Sequence, residues 1–129
     1  MASILKGQSF LAYAAIGEYC LIKPDTSNTS YPTIYAVCTA ARGNHAFGVT
    51  KAAAAAGEQI QYEPLIPGHI YPILLGETVA AGELICAGAA GAGFDADTGG
   101  DICLGTCIVG GDAAAIGYFV CDSNYGRVI

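Results

Sequence analysis

The side chains able to do chemistry are six cysteines, two histidines and a group of acids near residue 100. A thiol beside an imidazole makes a nucleophile pair, and mixed Cys/His sets hold zinc. His45 and His69 stand in no His-x-x-x-His spacing, and no Cys-x-x-Cys occurs. Cys103 and Cys107 come nearest to a pair. On a strand, however, positions four apart share a face at about 13 Å, too far for one metal ion. Asp95, Asp97 and Asp101 form a weak hard-cation pattern without the glycine and terminal glutamate of an EF-hand loop. They read as solvated loop carboxylates. Gly88 to Gly93 does not match Gly-x-Gly-x-x-Gly, and Gly-x-Ser-x-Gly is absent. The expectation is a protein that is not an enzyme, with no catalytic residue, cofactor or metal.

The elements that carry these residues read as β-strands. Short β-prone runs are punctuated by Gly, Asn or Asp at roughly the 8–12-residue spacing of sandwiches and barrels. The runs are residues 10–16, 18–22, 33–39, 46–50, 58–63, 69–75, 83–87, 101–109 and 115–121. Alternation in Gln59-Ile60-Gln61-Tyr62 and in Thr33-Ile34-Tyr35-Ala36-Val37 predicts one wet and one dry face. A polar turn-rich loop, 24–30, follows the second run. Helix is scarce: Ala52 to Ala56 is stopped by Gly57 after about a turn, so it reads as a helical turn or a loop. Ala87 to Gly93 reads as a hairpin loop. Ala55-Ala56-Gly57-Glu58-Gln59-Ile60 echoes Ala80-Ala81-Gly82-Glu83-Leu84-Ile85 at an offset of 25 residues, as two equivalent strand starts. Two copies do not make a solenoid.

Composition narrows the partners. The 129 residues suit one domain, and folding at this size buries roughly two-thirds of the unfolded surface. Charged residues are 12% and hydrophobic ones 53%, with 18 glycines besides. Soluble domains average about 25% charged, so part of this surface is expected to be buried against other chains. The net charge of −6 lacks the basic footprint that phosphate binding needs, and Arg42 and Lys51 make no cluster. Nucleic acid is not expected as a direct partner. No stretch reaches the roughly 18–20 apolar residues of a membrane-spanning helix. Met1 to Ser9 forms no signal-peptide core, so synthesis in a cytosol is expected. The cysteines all lie in apolar runs and read as small buried hydrophobes with free thiols. Residues 1–12 precede the strand–turn rhythm and read as an N-terminal arm on a single β-rich domain, 13–129. Such an arm can add to a partner's sheet edge.

From Cys38 to Cys121 the chain carries a recognisable order. Ala46-Phe47-Gly48-Val49 leads into the alanine run and Gly57-Glu58-Gln59-Ile60. Leu65-Ile66-Pro67-Gly68-His69-Ile70 is followed by Val79-Ala80-Ala81-Gly82-Glu83-Leu84-Ile85, then an Ala/Gly loop and Phe94-Asp95-Ala96-Asp97. The close is Leu104-Gly105-Thr106-Cys107-Ile108 and Gly117-Tyr118-Phe119-Val120. This order resembles the phage capsid cement, or head decoration, protein family. The resemblance covers about two-thirds of the chain and rests on turn and strand grammar rather than on catalytic signatures. It implies a small all-β, β-barrel-like body, β-tulip or SH3-like, with an extended N-terminal arm. It also implies a structural role on the outer capsid surface of a virion, with the major capsid protein and a homotrimer of the chain itself as partners. The arm residues Ala2, Ser3, Ile4, Leu5, Lys6, Gln8 and Phe10 are then the candidate capsid contacts. The six cysteines and the loop 25–30 depart from the family pattern.

Three other readings compete. A head-fibre base or other virion surface protein shares most of these features. A biotinyl- or lipoyl-type carrier domain needs a lysine at an exposed hairpin tip, which Lys6, Lys23 and Lys51 do not supply. A small enzyme with a Cys/His site between subunits would need an unusually reactive thiol.

Overall fold

The computed structural model describes residues 10–24, 36–39 and 43–129. Its strands are β1 (Leu11–Ala12), β2 (Leu21–Pro24), β3 (Ala36–Thr39), β4 (Gly48–Thr50), β5 (Tyr62–Pro64), β6 (Ile70–Leu74), β7 (Leu84–Ala87), β8 (Gly93–Asp95), β9 (Cys103–Val109) and β10 (Ile116–Val120). They form two five-stranded sheets, ordered β1-β3-β2-β4-β5 and β6-β10-β9-β7-β8. β1 and β3 run parallel, and the other neighbours run antiparallel. The protein is all-β, as expected, and among the described residues the one helical element is a 3-10 turn at Ala89–Gly91. Among the described residues the sheets remain open and no closed barrel forms. None of the described helices is long and apolar enough to cross a membrane.

Residues 1–9, and with them Ala2, Ser3, Ile4, Leu5, Lys6 and Gln8, lie outside the described residues, as do 25–35 and 40–42. Leu11 and Ala12, the end of the expected arm, belong to the first sheet as β1. Ala12 is fully buried, and Leu11 and Ala12 pair with Ala36 and Val37. The alanine run 52–56 holds no helical turn, because Ala54 exchanges two backbone hydrogen bonds with Ile16. The loop 87–93 is a hairpin tip, and its return strand β8 carries Phe94, a strand the sequence pattern did not signal.

The 25-residue echo is a turn built twice. In 55–58 the amide of Glu58 donates to the Ala55 carbonyl, and Glu58 Oε1 accepts from the Ala55 amide at 2.6 Å. In 80–83 Glu83 and Ala80 make the same two bonds, with the side-chain bond again 2.6 Å. The third turn residue has φ of +84° at Gly57 and +93° at Gly82, a backbone region open to glycine without a Cβ penalty.

The equivalence reaches well beyond the turns. Ala12 donates to Glu58 O and accepts from the Gly57 amide, as Cys107 does with Glu83 and Gly82. The two-bond bridge of Ile16 to Ala54 matches that of Gly111 to Val79. Tyr19 and Ala114, both at positive φ, donate to Thr50 O and Leu75 O. Leu21 faces Val49 and Ile22 faces Gly48, where Ile116 faces Leu74 and Gly117 faces Ile73. Segments 12–22 and 48–58 therefore build the same hydrogen-bonded unit as segments 107–117 and 73–83, with the two halves in opposite chain order.

Two apolar clusters hold the units. The larger joins Tyr71, Ile73, Ile85, Leu104, Cys107 and Phe119 of the second sheet to Leu21, Ala46, Val49 and Leu65. The smaller lies within the first unit, around Ala12, Ile16, Cys20, Ile22, Ala54 and Ile60. Gln59 and Gln61 are exposed on either side of buried Ile60, which is the alternation the sequence predicts.

Candidate functional site

Phe10 is the one expected capsid contact among the described residues. Its ring meets Phe47 edge-on at 5.5 Å and Tyr62 at 5.4 Å, and Phe47 meets Tyr62 at 5.6 Å. The Phe10 carbonyl accepts from Ile60 N. This three-ring cluster anchors the chain at residue 10, where the N-terminal segment joins the first sheet. Such aromatic pairs contribute about 0.5–1.5 kcal/mol beyond burial. Phe10 is thus a fixed root of the segment before it.

The residues considered for chemistry are kept apart or buried. The described cysteines, Cys20, Cys86, Cys103, Cys107 and Cys121, are buried and in no disulfide. Burial pushes the Cys20, Cys103, Cys107 and Cys121 thiols up from their ordinary range, which lowers the thiolate fraction. His45 stands edge-on to Tyr125 at 4.8 Å, with Nδ1 3.2 Å from the Ala46 carbonyl. His69 is exposed in the β5–β6 connection, and its backbone bonds to Ile66 and Cys121.

The three aspartates do three different things. Asp101 is buried, and its Oδ2 accepts from the Thr98 amide at 3.0 Å. Asp97 Oδ1 accepts from the Thr98 hydroxyl. Asp95 shares a hydrogen bond with Glu83, which raises its carboxyl to about 6 and holds Glu83 below the usual carboxylate range. The Asp95 amide donates to Glu77 Oε2 at 2.8 Å. One proton between two carboxyls is the usual outcome when like charges are crowded. Among the described residues no group of three or more His, Cys, Asp or Glu side chains is placed to hold a metal ion.

The glycine-rich stretch has a packing role. A Cβ on Gly88 would lie 1.9 Å from the Phe94 ring, and one on Gly91 2.6 Å from the Leu21 carbonyl. The hairpin tip therefore lies flat on the first sheet and beneath Phe94. A shallow cleft of about 230 Å³ opens between β4, β5 and β6, lined by Tyr19, Val49, Thr50, Lys51, Glu63, Tyr71 and Pro72. The Lys51–Glu63 ion pair, 3.5 Å long and half-exposed, stands at its edge. This is below the roughly 300–1,000 Å³ of small-molecule pockets.

What the sequence pattern did not locate is the outer face of the second sheet. β6, β9 and β10 contain no charged residue. Strands that are apolar along their whole length are the mark of burial on both faces, and that signal was present in the three runs.

No family model matches the sequence, and no curated protein matches it. Among solved structures the chain is similar to the head fiber gp8.5 N base of bacteriophage phi29. The TM-score is 0.70 at 14% identity, covering 94% of this chain and 96% of that one. At this identity the likeness establishes a shared fold, an open all-β module matched over nearly its whole length.

Proposed function

We propose that this chain is a non-enzymatic structural protein of a tailed-phage virion that seats on the outer capsid surface and bridges major capsid subunits. The observation that carries the reading is the end-to-end match to a phage head-fibre base. The cement-family order of turns and strands from Cys38 to Cys121 points the same way. The role requires no reactive group, in keeping with thiols that are buried and raised in pKa. A bridging protein adds contact energy only in the assembled shell and so opposes its rupture by mass action. In this reading residues 2–8 are the capsid-binding arm, Phe10 is its root, and three copies gather at one capsid site.

The test mixes the purified chain with undecorated heads of the phage that encodes it, alongside a form lacking residues 2–9. The deletion stops short of Phe10, because Phe10 packs on Phe47 and Tyr62 and Leu11–Ala12 belong to the first sheet. The full chain should bind to saturation and delay heat-driven DNA release, while the shortened form should fold normally and fail to bind. Unimpaired binding by the shortened form would remove the arm from the reading, and no binding by either would remove the capsid.

The identity of the matched protein favours a second reading, the base of a head fibre. Attachment without any gain in shell stability would select it over cement.

A further inference from the structure

The second sheet has two apolar faces: the fold fills one, and covers the other only in part, at the β6 edge where Leu74 packs against the smaller cluster. Inward from β6, β9 and β10 point Tyr71, Ile73, Cys107 and Phe119, at most 2% exposed. The alternate positions point outward. Ile116 lies opposite Leu74, Tyr118 opposite Pro72 and Val109, and Val120 opposite Ile70. The register shift between Tyr118 and Phe119 lets β9 present Ile108 as well as Val109 to solvent. Ile70 is 59% exposed, Val109 49%, Tyr118 43%, Ile108 42% and Ile116 41%. An antiparallel sheet facing water normally alternates apolar-in with polar-out.

The duplicated unit supplies a control within the same chain. The positions matching Ile116 and Leu74 are Leu21 and Val49, which are 0% and 2% exposed. The chain covers both positions in the first unit, whereas in the second it leaves Ile116 exposed and Leu74 only partly covered.

We propose that the outer face of β6, β10 and β9 is the surface through which copies of this chain associate. Three observations favour a second copy as the occupant. The five exposed side chains together present on the order of 400 Å², the size of the largest patches on monomers, which are often functional, and about half of the about 800 Å² each partner contributes to a standard interface. The chain carries −6, so copies repel wherever carboxylates meet, and this face brings none of its strand side chains' charge into contact. Its make-up, with a tyrosine among branched aliphatics, is that of an interface core rather than a rim. Association through this face goes beyond the capsid reading and does not depend on it.

The test uses the full-length chain and no heads. Light scattering after size exclusion is run on the wild type and on the double variant Ile116→Asp/Tyr118→Asp, with a thermal melt of each. The wild type should have a mass that is a multiple of 13.1 kDa, and the variant should elute at the single-chain mass with a cooperative melt. A wild type that is monomeric overturns the proposal, and so does a folded variant that keeps the oligomeric mass. Should the double variant not fold, hydrogen exchange of the wild type decides instead. Amides of β9 and β10 should gain protection as concentration rises, and protection independent of concentration overturns the proposal.

Discussion

Removing the Tyr71 hydroxyl should destabilise this protein far more than the loss of one atom suggests. Tyr71 sits on β6 with its ring buried and 5.7 Å from that of Phe119. Its hydroxyl donates to the Pro64 carbonyl and accepts from the Ile66 amide, both at 2.7 Å. Those two bonds tie the start of the β5–β6 connection to the strand that follows it, and so the first sheet to the second. Tyr71→Phe keeps the ring and its contact with Phe119 but strands one donor and one acceptor. Leaving a buried polar group unpaired costs about 1–3 kcal/mol. Pro64 and Ile66 are themselves exposed, so water can reach part of this site and the low end of the range, about 1–1.5 kcal/mol, applies to each group. The sum is about 2–3 kcal/mol. For a domain of this length a loss of that size lowers Tm by roughly 6–12 °C. Tyr125→Phe is the comparison, since its hydroxyl makes a single 3.0 Å bond to the Ala46 carbonyl and should cost less than half as much. The assay is a circular-dichroism melt of each variant, with hydrogen exchange at the Ile66 amide. A Tyr71→Phe protein that melts within a degree or two of wild type, or an Ile66 amide equally protected in both, would refute the argument.

Two further outcomes follow from the second sheet. Gly88→Ala drives a Cβ into the Phe94 ring and should cost about 1–3 kcal/mol by overpacking, with part of the loss recovered in Gly88→Ala/Phe94→Leu; a melt unchanged from wild type contradicts the close approach. The Asp95–Glu83 pair should make stability fall as pH rises through about 6. Asp95 binds its proton more tightly folded than unfolded, so its contribution is complete below about pH 4 and is lost as the pH passes about 6. Glu83, held low, works in the opposite sense and its contribution is lost on acidification. Between those limits the folded pair holds one proton that the unfolded chain releases. Asp95→Asn should flatten the fall in Tm between about pH 5 and 7, whereas Glu58→Gln, in the matching turn, should preserve it. An unaltered slope in Asp95→Asn counts against the shared proton.

The strand order along the chain was legible because each run is bounded by turn chemistry that acts locally. Gly57 and Gly82 mark turns whose geometry requires positive φ, and the glutamate after each closes the turn on itself. The echo was therefore visible as sequence. Its extension was not, because Ala12 and Cys107, or Tyr19 and Ala114, share backbone positions and no side-chain likeness. A hydrogen-bond frame constrains φ and ψ, and many residues satisfy the same frame. β8 was hidden for a related reason: Gly93-Phe94-Asp95 has no alternation, and it forms a strand because β7 pairs with it. The buried state of the described cysteines could be read from their apolar neighbours. The pairing of Asp95 with Glu83 could not, since it joins a strand to a turn.

The outer face exposes a limit of a different kind. In β10 the residues Ile116, Gly117, Tyr118, Phe119 and Val120 are all compatible with a core, so no polarity switch tells inside from outside. Only the register does: Gly117 and Phe119 turn inward, with Gly117 so close to the Val109 carbonyl that a Cβ would lie 2.7 Å from it. That closeness fixes β10 against β9, while Ile116 and Tyr118 hold exposed positions on the outer face. Their apolar character then answers to something outside the single chain, as low charge and high alanine and glycine content suggest for the molecule as a whole. Substitutions at Gly117 or Phe119 should therefore remove fold and association together, whereas those at Ile116 or Tyr118 should remove association alone. One strand thus separates the two requirements residue by residue, and only the second of them depends on protein concentration.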